Sequence, residues 1–118
     1  MLVRLTHKVH VLYRRQDLDM VKLEGKIVVV LDVLFATSTM IAALGDGAAA
    51  VIPTLNEEHA RERAKELAEG SYVLAGELFA DTISGFAPPT PMALMKHDLR
   101  GRTLVYATTN GTVALSES

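Results

Sequence analysis

The 118-residue sequence contains no cysteine. Disulfide bonds, thiolate catalysis and zinc sites built on thiolates are therefore excluded. No uninterrupted apolar run is longer than residues 27–31, whereas a helix needs roughly 20 apolar residues to cross a bilayer. The first residues also lack the apolar stretch of a signal peptide. We therefore expect a cytoplasmic protein with no membrane partner.

The sequence also has no large excess of positive or negative charge. The chain has 12 Lys and Arg against 14 Asp and Glu, which gives a net charge of −2. The basic residues are scattered along the sequence and form no stripe of the kind that binds nucleic acid, so we expect no nucleic-acid partner. The 49% apolar and 22% charged residues are ordinary for a soluble protein. The length fits a single domain, residues 1–118.

The order of apolar and polar segments predicts an α/β fold in which strands and helices alternate. Residues 26–34 are almost all aliphatic, which is typical of a strand buried on both faces of a parallel sheet. We expect a layered α/β/α sheet, incomplete at its C-terminal end because a helical pattern begins at residue 112 and stops at 118. The predicted strands are 8–13 (at an edge), 26–34, 48–53, 72–75 and 102–107; the predicted helices are 36–44, 56–69 (capped by Asn56) and 91–96; residues 14–25 are a short helix or loop, and 78–90 are a long loop.

Three polar clusters follow predicted strands, and they centre on Asp32, Glu77 and Asn110. The carboxyl ends of parallel strands face one crevice, where ligands of α/β proteins bind. We therefore expect these three residues to converge on one site, although they are far apart in sequence.

Asp32 lies within an aliphatic run, where a carboxylate without a partner is costly to bury. Mg²⁺ would neutralise it. Thr37, Ser38 and Thr39 follow at the predicted start of a helix, where free N–H groups and the helix dipole favour anions. A metal-binding carboxylate beside an anion site suits phosphoester chemistry. The alternative is that Thr37 or Ser38 only caps the helix and that Asp32 pairs with a lysine.

The other two clusters also allow two interpretations. Glu77 is either a metal ligand or general base, or a solvated loop carboxylate. The segment Thr109-Asn110-Gly111-Thr112 contains Asn-Gly, which is typical of a tight hairpin. A turn from a strand into a helix, with its backbone N–H groups exposed to a ligand, is equally compatible with the residues that follow.

Several segments occur together and in order: Leu31 to Thr39 (LDVLFATST), Val51-Ile52-Pro53, Ala75-Gly76-Glu77, Gly85-Phe86 and Thr108 to Thr112 (TTNGT). This set resembles the 2-phosphosulfolactate phosphatase (ComB) family of coenzyme M biosynthesis. The family pattern contains D-V-L-R-A-T-S-T, G-E-R, G-F-D-L-G-N-S-P and T-T-N-G-T. The resemblance covers residues 27–115 and corresponds to the N-terminal part of the family fold.

The resemblance implies a Mg²⁺-dependent phosphatase that converts 2-phosphosulfolactate, a small phosphorylated acid, into 3-sulfolactate and phosphate. Asp32 and Glu77 would be the catalytic and Mg²⁺-binding carboxylates. The phosphate would be bound by the hydroxyl-rich segment and by the Asn-Gly turn (Thr37, Ser38, Thr39, Thr109, Asn110, Gly111 and Thr112).

This sequence departs from the family pattern at both arginines, since Phe35 and Leu78 stand in their places. Each change removes a cation that would bind phosphate or sulfonate bidentately. Ala87 to Pro91 (APPTP) replaces D-L-G-N-S-P, and family members are about twice as long. Three hypotheses follow. The chain is a phosphatase with altered substrate choice, or a non-catalytic or truncated relative that binds a small anion or a partner chain. The third is a phosphohydrolase of the haloacid-dehalogenase type with Asp32 as nucleophile, which is disfavoured because Leu34 stands where a second aspartate is needed.

An incomplete sheet leaves an exposed edge, and exposed edges favour pairing with another chain. We therefore expect a homodimer.

Overall fold

The structure is a computed structural model that describes residues 6–31 and 36–108. Within these ranges four strands form one sheet, and helices lie before and between them. The strands are β1 (Ala50–Thr54), β2 (Tyr72–Leu78), β3 (Asp81–Thr82) and β4 (Thr103–Ala107); the helices are α1 (Met20–Leu23), α2 (Ala36–Gly45), α3 (Glu57–Lys65) and α4 (Pro91–Leu94), with a short 3-10 helix at Arg15–Asp17.

The strand order in the sheet is β1-β4-β2-β3. β4, the last of these four strands in sequence, lies between β1 and β2 and pairs in parallel with both. β3 pairs antiparallel with the end of β2. In the parallel part the register aligns Thr54, Ala107 and Gly76, so β1, β4 and β2 run out at the same end of the sheet. We call this end the carboxyl edge.

Helices cover both faces of the sheet, which confirms the predicted α/β/α layering. The alternation of side chains along β4 sends Leu104 and Tyr106 to one face and Val105 to the other. On the first face they pack against α2, α4 and the segment after α4, through Ala36, Met40, Ala43, Leu94 and Leu99. On the second face Val105 packs with Ala60 of α3 and with the loop residues Ile83 and Phe86.

A proline lies within β1, which is an edge strand of the described sheet. Thr103 donates its N–H toward β2, to the carbonyl of Ser71, so the backbone groups of Tyr106 point the other way, toward β1. Because Pro53 is the register partner of Tyr106, the flanking residues Ile52 and Thr54 direct their backbone groups to β4, and Pro53 lies on the outer side, where its missing N–H costs no ladder bond. The buried hydroxyl of Thr54 also donates to the carbonyl of Tyr106 at 3.0 Å.

Most predicted elements are confirmed within a few residues. The chain folds as a strand at 50–54, 72–78 and 103–107 and as a helix at 36–45, 57–65 and 91–94. Asn56 caps α3 as predicted, because its side chain accepts the backbone N–H of His59 at 2.8 Å. α3 ends at Lys65, earlier than the predicted Glu69. The predicted loop 78–90 contains the short strand β3.

Three predictions were wrong. Residues 8–13 form no strand, and residues 26–31 form neither a strand nor a buried segment; residues 32–34 of that prediction lie outside the described ranges. Ile27 and Leu31 are 96% and 83% exposed, so aliphatic composition alone did not give this segment a neighbouring strand to pair with. Thr37 and Ser38 are not the N-cap of α2, because the helix already includes Ala36 and they lie within its first turn.

Among the described residues, no helix is both long enough and apolar enough to cross a membrane.

Candidate functional site

Two neighbouring strands end in polar residues at the carboxyl edge. Gly76 and Ala107 are register partners, so Glu77 on β2 and Thr108 after β4 come next to each other along this edge. Thr108 is buried, whereas Glu77 is partly exposed and accessible to solvent. The edge therefore presents one accessible carboxylate beside a buried hydroxyl, in the part of an α/β sheet where ligands bind.

The backbones of β2 and β4 approach closely at this edge. A Cβ atom placed on Gly76 would overlap the carbonyl oxygen of Ala107. Only glycine has no Cβ, so only glycine fits here without displacing β4. Gly76 directly precedes Glu77, and the close approach therefore fixes the backbone that carries the carboxylate.

Glu77 begins a tight hairpin, which we define as residues 77–82. It pairs with Thr82 across the hairpin, and its Oε2 atom accepts the backbone N–H of Ala80 at 2.7 Å. Both central residues of the turn, Phe79 and Ala80, have positive φ angles of 51° and 71°. Residues other than glycine rarely adopt this conformation, and such strain is concentrated at functional sites. The carboxylate of Glu77 is thus held by the turn that follows it.

The predicted phosphate-binding residues Thr37, Ser38 and Thr39 lie in the first turn of α2. Thr39 is fully buried, and its hydroxyl donates to the carbonyl of Pro89 at 2.8 Å. Thr37 and Ser38 are only partly buried. The three hydroxyls therefore differ in environment: Thr39 bonds to the loop that precedes α4, whereas Thr37 and Ser38 are accessible to solvent.

The contact between Tyr106 and Pro89 was not predicted from the sequence. The buried hydroxyl of Tyr106 donates to the same Pro89 carbonyl at 2.6 Å. One carbonyl in a loop thus receives hydrogen bonds from α2 and from β4. A tyrosine inside a predicted core strand, whose hydroxyl needs a buried acceptor, was the available signal.

Residues 83–90, which we call the 83–90 loop, return along the outer side of β2. Ile83 donates its N–H to the carbonyl of Gly76 at 3.2 Å, and Ala87 donates to the carbonyl of Leu74 at 2.7 Å. The N–H of Gly76 donates back to the carbonyl of Ala87 at 3.3 Å. The loop is therefore hydrogen-bonded to the carbonyl of Leu74 and to both backbone groups of Gly76, the residue immediately before Glu77.

The remaining predicted site residues, Asp32 and Thr109 to Thr112, lie outside the described residues. Of the predicted site, the structure therefore brings together Glu77, Thr108 and the 83–90 loop. In the described ranges no three Asp, Glu or His side chains are close enough to hold a metal ion. Mg²⁺ commonly uses one or two protein carboxylates together with waters and phosphate oxygens, so the carboxylate of Glu77 fits as one member of such a set.

A family model described as 2-phosphosulpholactate phosphatase matches residues 13–118. The chain is also similar to curated proteins named "Probable 2-phosphosulfolactate phosphatase". The one from Clostridium beijerinckii is 38% identical over 112 residues, which cover 94% of this chain and 47% of that protein. The one from Clostridium perfringens strain SM101 is 39% identical over 112 residues, which cover 92% and 45%.

A relative of the same name from Caldanaerobacter subterraneus is 40% identical over 96 residues, which cover 80% of this chain and 40% of the relative. This chain thus spans somewhat less than half the length of the curated relatives it matches.

Proposed function

This chain belongs to the 2-phosphosulpholactate phosphatase family, and we propose that it acts in the Mg²⁺-dependent hydrolysis of 2-phosphosulfolactate to sulfolactate and inorganic phosphate. The names of the relatives supply the substrate. The reaction class is phosphoric monoester hydrolysis: a water oxygen bonds to phosphorus, and the ester oxygen leaves with a proton.

The alignment of strand ends at the carboxyl edge is the observation that carries this proposal. Thr54, Ala107 and Gly76 stand in register, and the carboxylate of Glu77 and the hydroxyl of Thr108 follow directly. Thr108 opens the segment TTNGT, so the polar cluster around Asn110 follows β4 directly in sequence. An acid from one strand and amide and hydroxyl groups from the next are what a site for a metal-bound phosphate requires.

In this proposal Glu77 and Asp32 are the carboxylates that bind Mg²⁺. The oxygen donors of both residues suit a hard cation. When bound, Mg²⁺ would neutralise charge on the phosphate oxygens. The hydrogen bond from Ala80 orients Glu77 Oε2. One of the two carboxylates also accepts the proton that the attacking water loses.

The remaining residues bind the phosphate oxygens in this proposal. Thr37 and Ser38 offer hydroxyls in the first turn of α2, beside helix N–H groups that favour anions. Thr109, Asn110, Gly111 and Thr112 offer backbone and side-chain donors after β4. Thr39 belongs to the same turn, but it is buried and its proton is given to the carbonyl of Pro89, so it would support the turn and not donate to the substrate.

Phosphate release from 2-phosphosulfolactate and from 2-phospholactate, with Mg²⁺ and with EDTA, tests the proposal. We expect phosphate release to require Mg²⁺. Asp32→Asn and Glu77→Gln should each reduce its rate by at least about a hundredfold. Asp46→Asn and Glu69→Gln remove the same charge from exposed positions away from the carboxyl edge and should leave the rate unchanged. An undiminished rate in Asp32→Asn or in EDTA would exclude this mechanism.

A second candidate function is binding of a small anion or a partner chain without turnover. It is favoured by the aliphatic side chains of Ile27, Val29 and Leu31, which are 96%, 75% and 83% exposed. A homodimer belongs to this candidate, because an exposed aliphatic segment favours association with a second chain. No turnover by a folded chain, together with a dimer in sedimentation and saturable phosphate binding, would favour this candidate; Mg²⁺-dependent turnover would favour the first.

A further inference from the structure

Arg61 of α3 contacts the 83–90 loop through two interactions and its own helix through a third. Its Nη2 atom donates to the carbonyl oxygen of Ser84 at 3.0 Å. Its guanidinium carbon lies 4.8 Å from the centre of the Phe86 ring, within the range of a cation–π interaction. Its Nε and Nη2 atoms both donate to Glu57 Oε1, at 2.9 and 2.8 Å. One side chain therefore joins the helix to the loop.

The helix that carries Arg61 is itself fixed to the sheet. Ala60 and Ala64, on the buried face of α3, are 0% and 4% exposed, and Ala60 packs in one cluster with Val105 of β4. Glu57 lies one turn before Arg61, and two N–H groups bonded to one carboxylate oxygen limit the rotation of the guanidinium. The position of Arg61 is therefore determined by the helix and not by the loop.

Hydrogen bonds continue from the contact of Arg61 to the hairpin of Glu77. Ser84 directly follows Ile83, whose N–H donates to the carbonyl of Gly76. Thr82, one residue earlier, is the register partner of Glu77. A displacement of Ser84 thus moves the strand that pairs with Glu77.

We propose that Arg61 is a positioning residue, which holds the 83–90 loop so that the hairpin keeps the carboxylate of Glu77 at the carboxyl edge. The catalytic use of Glu77 rests on the proposed function, whereas the contact between Arg61 and the 83–90 loop does not. Arginine is required because its planar guanidinium donates to a carboxylate and a carbonyl while it stacks on a ring, which the single ammonium group of lysine does not reproduce.

Such a role differs from general stabilisation of the fold. An exposed ion pair contributes little to global stability, and both Arg61 and Glu57 have side chains almost half exposed. Loss of Arg61 should therefore leave the unfolding midpoint almost unchanged and should act on the loop and the hairpin alone.

Hydrogen exchange by NMR on the full ¹⁵N-labelled chain tests the contact. In Arg61→Ala, we expect the amides of Ile83 and Phe86 to exchange roughly tenfold faster, since the lost cation–π and charged hydrogen-bond contacts are each worth a factor of about two to five. The amide of Val105 in β4 should be unchanged. Arg61→Lys should give an intermediate rate, because charge remains but the planar group is lost.

Arg63→Ala is the matched control. Arg63 lies on the same helix and also forms an ion pair, with Glu66 at 2.6 Å, but that pair stays within the end of α3. We expect exchange in the 83–90 loop to be unaffected by this change. The proposal would be overturned if the amides of Ile83 and Phe86 exchanged at the same rate in Arg61→Ala as in the native chain. It would also be overturned if Arg63→Ala accelerated their exchange as much as Arg61→Ala does.

The amide of Ala80 reports on Glu77 directly, because it donates to Glu77 Oε2. We expect Arg61→Ala to shift its ¹H signal and to accelerate its exchange, with or without catalytic activity. If the native chain releases phosphate, Arg61→Ala should lower kcat about tenfold while KM changes less than about twofold, since Arg61 does not bind substrate.

These readouts separate the two proposals. Absence of phosphate release from the native chain argues against the proposed function, whereas the Ala80 and Ile83 amides still decide the role of Arg61. An unchanged Ala80 signal, or an unchanged kcat in an active chain, would show that Arg61 does not position Glu77.

Discussion

Thr39 and Tyr106 donate hydrogen bonds to the same atom, the carbonyl oxygen of Pro89, from 2.8 and 2.6 Å. Thr39 belongs to α2 and Tyr106 to β4, and both side chains are completely buried. The loop that begins after the hairpin of Glu77 is therefore anchored to the helix of one predicted oxyanion cluster and to the strand that leads to the other.

This shared acceptor predicts a non-additive double-mutant cycle. Tyr106→Phe and Thr39→Val should each cost about 1 kcal/mol, because the carbonyl keeps its other donor. The double variant should cost about 1 kcal/mol more than the sum, because only then is the buried carbonyl left without either bond. Urea unfolding of the four chains measures the coupling; simple additivity would mean that the two bonds are independent.

Gly76→Ala should destabilise the protein by about 3 kcal/mol, since the added methyl group would meet the backbone carbonyl of Ala107 and force β2 and β4 apart. Gly45→Ala is the control: nothing lies within 4 Å of a Cβ there, at the end of α2. It should be neutral or stabilising by up to about 1 kcal/mol. Urea unfolding would contradict this account if both variants were equally stable.

Thr54→Val should cost about 1–2 kcal/mol, because it removes the buried hydroxyl that donates to the Tyr106 carbonyl. Thr54→Ser keeps the hydroxyl and should recover most of the loss. Thr82→Val changes an exposed strand threonine and should have an effect near zero. Thermal unfolding compares the three, and equal destabilisation by Val and Ser would point to lost packing and not to the hydrogen bond.

Leu78→Arg should improve recognition of the more highly charged substrate. Leu78 directly follows Glu77 and is 53% exposed, so an arginine there would reach solvent and a bound anion. We expect KM for 2-phosphosulfolactate to fall about fivefold or more, with a smaller change for 2-phospholactate, as one charged hydrogen bond is worth about 1–3 kcal/mol.

Leu44→Arg is the control for added charge. Leu44 is equally exposed, at 51%, but lies at the end of α2 that leads to the start of β1, away from the carboxyl edge. It should leave both KM values unchanged. The same decrease in both variants would mean that net charge, and not the position of the arginine, controls binding.

The sequence predicted the elements whose signals are local. Asn56 before two glutamates defined the start of α3, and the aliphatic residues of β4 defined a core strand. The strand prediction failed for residues 26–31. Their β-branched composition favours a strand, but it does not specify a neighbouring strand with which they would pair. Ile27 and Val29 are exposed in consequence.

The contacts around Glu77 could not be predicted from local sequence signals either. A turn with positive φ at Phe79 and Ala80 has no glycine or asparagine to indicate it. The bond from Thr39 to Pro89 joins residues 50 positions apart, and nothing in either neighbourhood specifies that pairing. Arg61 was one of several charges on an exposed helix until the fold brought the 83–90 loop beside it.

The position of β4 also governs the order of events during synthesis. β1 and β2 have no hydrogen bonds to each other, and both depend on a strand that follows them in sequence. A nascent chain that has not yet released residues 103–107 from the ribosome therefore holds β1 without a strand to pair with and β2 paired only on its β3 side, with the edges that β4 covers open to other chains. Cotranslational assembly of this sheet must wait for β4, and until then the chain depends on its helices, or on a chaperone, to avoid aggregation.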